Sequence, residues 1–211
     1  MDISIKIKDL SKKVGAREVL FSNLSAEFSN GEIVSITGPN GSGKSTFMKI
    51  IAAATKPTKG KIDIQVNQKS INHSDFHNYF GYVAPYLNLY EEFHPLEHIK
   101  VISKILAVQY DTKTAMRLLE RFELHKHFLK PIRAFSSGMK QRMRFILSIL
   151  NDPIVLLLDE PFSNLDDSGI EICKEIINEK RKNGGLILIA SNDEREIKLS
   201  SKQINLRDFK N

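Results

Sequence analysis

A single cysteine, Cys173, is all the thiol chemistry this chain of 211 residues carries, so no disulfide can form within it. That fits a reducing compartment. Cys173 falls between Ile172 and Ile176 in a helical pattern and reads as a small core residue. Long apolar runs are missing as well. The longest, residues 154–158 and 186–190, span five residues, whereas a membrane-spanning helix needs about twenty. No basic start followed by an apolar stretch marks a signal peptide. The chain is therefore expected not to cross a membrane by itself. There is no long basic block: 31 basic and 25 acidic residues are interspersed, leaving a net charge of +6. A mild excess of that kind suits an acidic small ligand or membrane surface, and no nucleic-acid partner is expected. Repeats and low-complexity tracts are absent. The length allows one large domain or a domain with a subdomain.

What is present centres on residues 38–46, Gly-Pro-Asn-Gly-Ser-Gly-Lys-Ser-Thr. The stretch fits G-x-x-x-x-G-K-[ST], the spacing of a phosphate-binding P-loop. Residues 32–37 read as a short buried strand before it, and residues 46–54 as a helix after it, with Phe47, Ile50, Ile51 and Ala54 at helical spacing. The glycines Gly38, Gly41 and Gly43 let the loop turn backbone N–H groups toward phosphate oxygens, with Asn40 and Ser42 between them. The helix N-terminus adds unpaired N–H groups and partial positive charge around Thr46. Lys44 is expected to reach the β- and γ-phosphates as a point charge, and Ser45 to offer its hydroxyl to Mg²⁺.

The surrounding pattern is α/β. Ile3, Ile5 and Ile7 alternate, as do Leu24, Ala26 and Phe28, which run into Asn30-Gly31, a hairpin signal. Pro57 and Gly60 mark a turn before a strand over residues 61–66, and residues 80–84 form another short strand. From about residue 95, within a stretch of about 87–150, the periodicity is helical, with Leu96, Ile99, Ile102 and Leu106, then Ala115, Leu118, Leu119 and Phe122 behind a cap at Asp111 or Thr112. These helices lack intervening strands and read as an inserted helical subdomain. The apolar strands 154–158 and 186–190 flank a helix bearing Ile170, Cys173, Ile176 and Ile177, which predicts a parallel sheet covered on both faces. The fold class expected is thus a P-loop NTPase core with a mostly parallel sheet, an N-terminal antiparallel β layer and the helical insertion, all in one domain over residues 1–211.

The strand 154–158 ends in Asp159-Glu160. Such a strand delivers side chains to the carboxyl edge of the sheet, where open α/β folds bind ligands. Asp159 is expected to hold Mg²⁺, directly or through water, and Glu160 to face an attacking water as catalytic base.

Upstream lies Phe135-Ser136-Ser137-Gly138-Met139-Lys140-Gln141-Arg142. P-loop, Ser-x-Gly followed by Lys-Gln-Arg, and an apolar strand ending Asp-Glu-Pro, in this order, resemble the ATP-binding-cassette family over nearly the whole chain. Residues 163–166 resemble its D-loop, ending in Asp166. The resemblance implies two cassettes packed head to tail around two ATP molecules. Each ATP would lie on the P-loop of one subunit and under the signature residues Ser136, Ser137, Gly138 and Met139 of the other. Ser136 can cap the helix beginning near Met139, whose free N–H groups attract phosphate.

Four departures from the family pattern bear on mechanism. Ser137 and Met139 stand where Gly and Gln are usual. Ala84-Pro85 occupies the region of the family's glutamine, and the Pro85 side chain can neither bind a metal nor bond a water. Asn192 follows the last apolar strand where a switch histidine is usual, and it cannot carry positive charge. None of His73, His77, His94, His98, His125 and His127 lies near that position, so all are read as surface or packing residues. Val14 stands about where an aromatic residue would stack on adenine.

The resemblance implies an ATP-binding, ATP-hydrolysing subunit with ATP and Mg²⁺ as cofactors. It would form a homodimer and drive a separate integral membrane permease from the cytoplasmic, inner face of the membrane. The alternatives are a soluble ATPase of the same family, as in iron–sulfur cluster assembly, and a nucleotide-binding regulator without turnover.

Overall fold

The computed structural model describes residues 1–15 and 18–210, without the side chains of His73 and Ser74, so His73 lies outside what is described. The strands are β1 (Ile3–Val14), β2 (Glu18–Ser29), β3 (Ile33–Thr37), β4 (Lys59–Val66), β5 (Lys69–Ser70), β6 (Phe80–Val83), β7 (Val155–Asp159), β8 (Leu186–Ala190) and β9 (Lys202–Asn205). The helices are α1 (Lys44–Ile51), α2 (Pro95–Ile105), α3 (Thr112–Arg121), α4 (Ser137–Ser148), α5 (Asp167–Lys182) and α6 (Glu194–Ile197), with short 3-10 turns between them.

Two sheets form. One is antiparallel, in the order β2-β1-β4-β5, and the other is parallel, in the order β6-β7-β8-β3-β9. This is the α/β architecture of a P-loop NTPase with an antiparallel layer at its N-terminal side. The three central parallel strands, β3, β7 and β8, are buried along their whole length because both faces are covered, while the edge strands β6 and β9 are partly exposed. Val34, Ile36, Val155, Leu157 and Leu188 pack with α1 and the antiparallel sheet. Ile33, Leu156, Leu158, Ile187 and Ile189 pack with the helices α2 to α5. Alternate residues of one apolar run therefore feed two cores, which is why no polar face interrupts the runs. Cys173 lies in the helical core with no exposed surface, and burial raises its thiol pKa well above the ordinary value.

Several local expectations are corrected. Asn30-Gly31 does not close a hairpin, because β2 and β3 belong to different sheets. The Gly31 N–H instead donates to the Gly185 carbonyl at 3.1 Å, and β3 continues between β8 and β9. The helix after the phosphate loop begins at Lys44 and ends at Ile51. Ala53 has left-handed backbone (φ 56°), so Ala54 falls outside the helix and is exposed. Gly60, expected in a turn, lies inside β4. Strand β9 carries a single strongly apolar residue, Ile204, so alternation could not announce it; backbone pairing with β3 creates it.

Helices α2, α3 and α4 fall in the stretch read as helical, with Leu106 and Phe122 as the residues that cap the ends of α2 and α3. The Asp111 carboxylate accepts from the Lys113 and Thr114 N–H groups and caps α3. His98 on α2 is a packing residue. Its Nε2 accepts from the Tyr90 N–H at 2.8 Å, its ring meets Tyr90 and Phe93, and burial lowers its pKa to about 4.

Candidate active site

Parallel pairing aligns three strand ends on one edge. Ile36 and Asp159 both stand in register with Ala190 of β8. The Glu160 N–H donates to the Ala190 carbonyl at 2.9 Å, and the Ser191 N–H to the Ile36 carbonyl at 3.1 Å. The phosphate loop after β3, the carboxylates after β7 and Asn192 after β8 are thereby brought together from distant parts of the chain.

The loop shapes a cavity of about 500 Å³ lined by Val14, Asn40, Gly41, Gly43, Lys44, Ser45, Thr46 and Glu160, with Glu18 and Leu20 on the β2 side. Gly43 caps α1 in the left-handed region at φ 98°, with Leu20 Cβ 3.0 Å from where a side chain would begin, so only glycine fits there. Gly38 and Ser42 do not line the cavity. The Ser42 N–H closes the loop on the Pro39 carbonyl at 3.0 Å, and its buried hydroxyl has no partner. The Lys44 ammonium folds over the loop, donating to the Gly38 carbonyl at 2.8 Å and the Pro39 carbonyl at 3.4 Å. Burial lowers its pKa, while Glu160 and Asp159 pull the other way.

Asp159 is 2% exposed. Burial raises its pKa, against the hydroxyls of Ser45 and Tyr86, which favour the charged form. Its Oδ2 is buried with no hydrogen-bond partner. An orphaned carboxylate oxygen beside a serine hydroxyl fits a hard divalent cation such as Mg²⁺. Among the described residues no group of three or more His, Cys, Asp or Glu side chains could hold a metal. A cation here would depend on phosphate oxygens and water for the rest of its shell. Glu160 is exposed at the cavity wall and has left-handed backbone (φ 47°), unusual for a non-glycine residue.

The signature residues are not in this cavity. Ser136, Ser137, Gly138 and Met139 line a second one of about 480 Å³, with Glu123, Leu124, His127, Arg142, Asn164 and Asp166. The Ser136 hydroxyl accepts from the Met139 N–H at 3.2 Å, so the serine caps α4, and the helix starts at Ser137 rather than near Met139. A Cβ on Gly138 would sit 2.6 Å from the Asn164 carbonyl oxygen, so the glycine lets α4 approach the 163–166 loop. Asp166 caps α5, accepting from the Gly169 N–H at 3.1 Å. Asn192 reaches back toward the phosphate loop, its amide donating to Asn40 Oδ1 at 3.3 Å.

A family model described as ABC transporter matches residues 21–163. The chain belongs to that family. Relatives include the Streptococcus pyogenes lantibiotic transport ATP-binding protein SrtF, 34% identical over 187 residues, 89% of this chain and 79% of the relative. The Bacillus cereus teichoic acids export ATP-binding protein TagH is 34% identical over 89% of this chain and 33% of its own length. Among solved structures, an ATP-binding subunit of an ABC transporter superposes with a TM-score of 0.83 at 26% identity, covering 95% of this chain and 85% of that one. A dimeric ATP-binding cassette in a post-hydrolysis state bound to ADP and Pi superposes at 0.80 with 22% identity, covering 95% and 93%, a likeness of fold.

In this ABC chain three groups at the site escaped the sequence reading. Arg142 of α4, only 6% exposed, donates to the Phe122 carbonyl, Glu123, Asp166 and Ser168. Glu196 of α6, 2% exposed, accepts the Phe162 N–H at 2.6 Å. Tyr86 stands beside Asp159. Arg142 was visible as part of the Lys-Gln-Arg run but had no partner in sequence. Glu196 and Tyr86 act through contacts that no local spacing encodes. Among the described residues no helix is long and apolar enough to cross a membrane.

Proposed function

We propose that this chain is the ATP-binding and ATP-hydrolysing subunit of a transporter, working as a homodimer that closes around ATP. The observation that carries the reading is the phosphate loop folded around the Lys44 ammonium, with Ser45, Asp159 and Glu160 on the same wall. In the ATP-bound state the Lys44 ammonium would exchange its carbonyl partners for phosphate oxygens, a stronger charge-assisted pairing. The N–H groups around Gly41 and Gly43 and the start of α1 would hold the remaining phosphate charge. Val14 would pack on the base. Ser45 and Asp159 would hold Mg²⁺, which when bound offsets charge on the phosphates. Glu160 would accept the proton of the attacking water as its oxygen adds to the γ-phosphorus and the bond from that phosphorus to the β–γ bridging oxygen breaks, releasing ADP and phosphate.

The signature cavity is separate from the phosphate-loop cavity and offers the N-terminus of α4. That favours a second copy bringing Ser136, Ser137, Gly138 and Met139 over the nucleotide, with Asp166 at the edge of the interface. The transport names of SrtF and TagH favour coupling to a separate permease at the inner face of the membrane over iron–sulfur assembly or a role without turnover. Residues 87–150 would be the helical subdomain that passes the motion on.

Calorimetric titration with ATP and Mg²⁺ tests the reading. Wild type should bind ATP, and Lys44→Ala should lose affinity by at least about tenfold, the loss of one charge-assisted contact of about 1.5 kcal/mol or more. Equal affinity in the two proteins would remove the phosphate-loop assignment.

A further inference from the structure

The chain leaving β6 passes the metal carboxylate with Pro85, which has no side-chain oxygen or nitrogen to offer. The next residue does. Parallel pairing of β6 with β7, Val83 opposite Leu158, brings the chain that carries Tyr86 to the end of β7 at Asp159. Tyr86 is held from two sides. Its hydroxyl is hydrogen-bonded to that of Tyr82 on β6, with the rings edge-to-face at 6.5 Å between centroids. The Lys49 ammonium of α1 lies 4.1 Å from the Tyr86 ring centroid, a cation–π contact that presses the ring against the helix after the phosphate loop. Strand β6, helix α1 and the end of β7 thus converge on one phenol.

We propose that Tyr86, braced by Tyr82 and Lys49, is a positioning residue for the metal–nucleotide shell, supplying next to Asp159 the side-chain oxygen that Pro85 lacks. The inference rests on the ATPase reading above. The chemistry suits a phenol hydroxyl, which can both donate and accept a hydrogen bond. Of the two protons in the pair, one lies between the hydroxyls. With Tyr82 as the donor of that pair, the Tyr86 proton is free for the Asp159 carboxylate, and a remaining lone pair can accept from a metal-bound water. A group of this kind orients a metal ligand rather than contacting the reacting atoms. Because Tyr86 lies on the chain between β6 and α2, it also joins the metal carboxylate to the start of the helical stretch.

The test is electron paramagnetic resonance titration of Mn²⁺, as a probe for Mg²⁺, into the full chain saturated with a non-hydrolysable ATP analogue. The proteins compared are wild type, Tyr86→Phe and Tyr82→Phe. Tyr86→Phe keeps the ring over Lys49 and removes only the hydroxyl. The expected result is Mn²⁺ affinity weakened by about tenfold in Tyr86→Phe, as for loss of an outer-sphere partner, with a smaller loss in Tyr82→Phe. Analogue affinity without metal should stay within about twofold of wild type, a split that a merely structural role would not produce. Mn²⁺ affinity and spectrum equal to wild type in Tyr86→Phe overturn the inference and leave the ATPase reading standing. Wild type with no metal-dependent analogue binding overturns the ATPase reading itself. Should Tyr86→Phe fail to fold, Tyr82→Phe decides: unchanged Mn²⁺ affinity there overturns the inference.

Discussion

The side-chain amide of Asn192 donates to the side-chain oxygen of Asn40 across 3.3 Å, tying the end of β8 to the phosphate loop. An amide at this position can sense phosphate by hydrogen bonding but carries no charge and does not titrate. Asn192→Ala should lower turnover by about fivefold to tenfold, the value of one net hydrogen bond of about 1 kcal/mol. Asn192→His should add to the pH–rate profile a limb near the ordinary imidazole pKa, about 6.5, that wild type lacks. Steady-state ATPase assays across pH read both. An unchanged rate in Asn192→Ala would show that the contact plays no part in turnover.

Arg142 joins the signature helix to the loop ending in Asp166. Its guanidinium donates to the Phe122 carbonyl at 3.0 Å, Asp166 Oδ1 at 2.6 Å and the Ser168 hydroxyl at 2.7 Å, and pairs with Glu123. The carboxylates it meets are largely exposed, so removing the arginine strands little charge. The lost bonds and packing should still cost about 2–3 kcal/mol in Arg142→Met, read by urea denaturation. Arg142→Lys should restore only part, since an ammonium cannot reproduce the fork.

Glu196 makes stability depend on pH. Burial pushes its carboxyl up to about 7, helped by Asp193 and Glu160, while Ser191 and the Phe162 N–H oppose the shift. The folded protein therefore holds this proton more tightly than the unfolded chain. The resulting stability is fully present below the ordinary carboxyl range and is lost as pH rises through about 7. Relative to Glu196→Gln, wild type should lose on the order of 3 kcal/mol between about pH 4 and pH 8. Parallel thermal melts of the two proteins check it; curves that stay parallel would contradict it.

The sequence carried the chemistry better than the geometry. Residues 38–46, Asp159, Glu160 and residues 135–142 stood out because the proposed phosphate chemistry asks for fixed residue types at fixed spacing, and the structure puts the first three at one sheet edge and Ser136 to Met139 in a separate cavity. The parallel sheet was legible because strands buried on both faces must be apolar throughout. Asn30-Gly31 misled because the turn that closes a hairpin can also carry a chain from one sheet to another, and only the Gly31–Gly185 pairing decides between them. Tyr86 and Glu196 were illegible because their roles depend on partners more than thirty residues away in sequence, Asp159 and Phe162. Strand β9 exists through pairing with β3, not through its own pattern.

Gly138 gives a steric prediction. Gly138→Ala places a Cβ 2.6 Å from the Asn164 carbonyl oxygen, which belongs to backbone and must move. The variant should keep ATP binding to the monomer within about twofold, because the phosphate loop is untouched, and weaken ATP-dependent dimerisation by about tenfold or more, the effect of about 1.4 kcal/mol. Sedimentation velocity with and without ATP separates the two effects.

In the proposed composite site, Glu160 of one copy acts on ATP held under the signature residues of the other. Light scattering of Glu160→Gln on a sizing column reads that arrangement. The variant should be a dimer with ATP and Mg²⁺ and a monomer with ADP or without nucleotide, with turnover reduced by at least about a hundredfold. A variant that stays monomeric with saturating ATP, or that hydrolyses it as fast as wild type, would rule out the composite site.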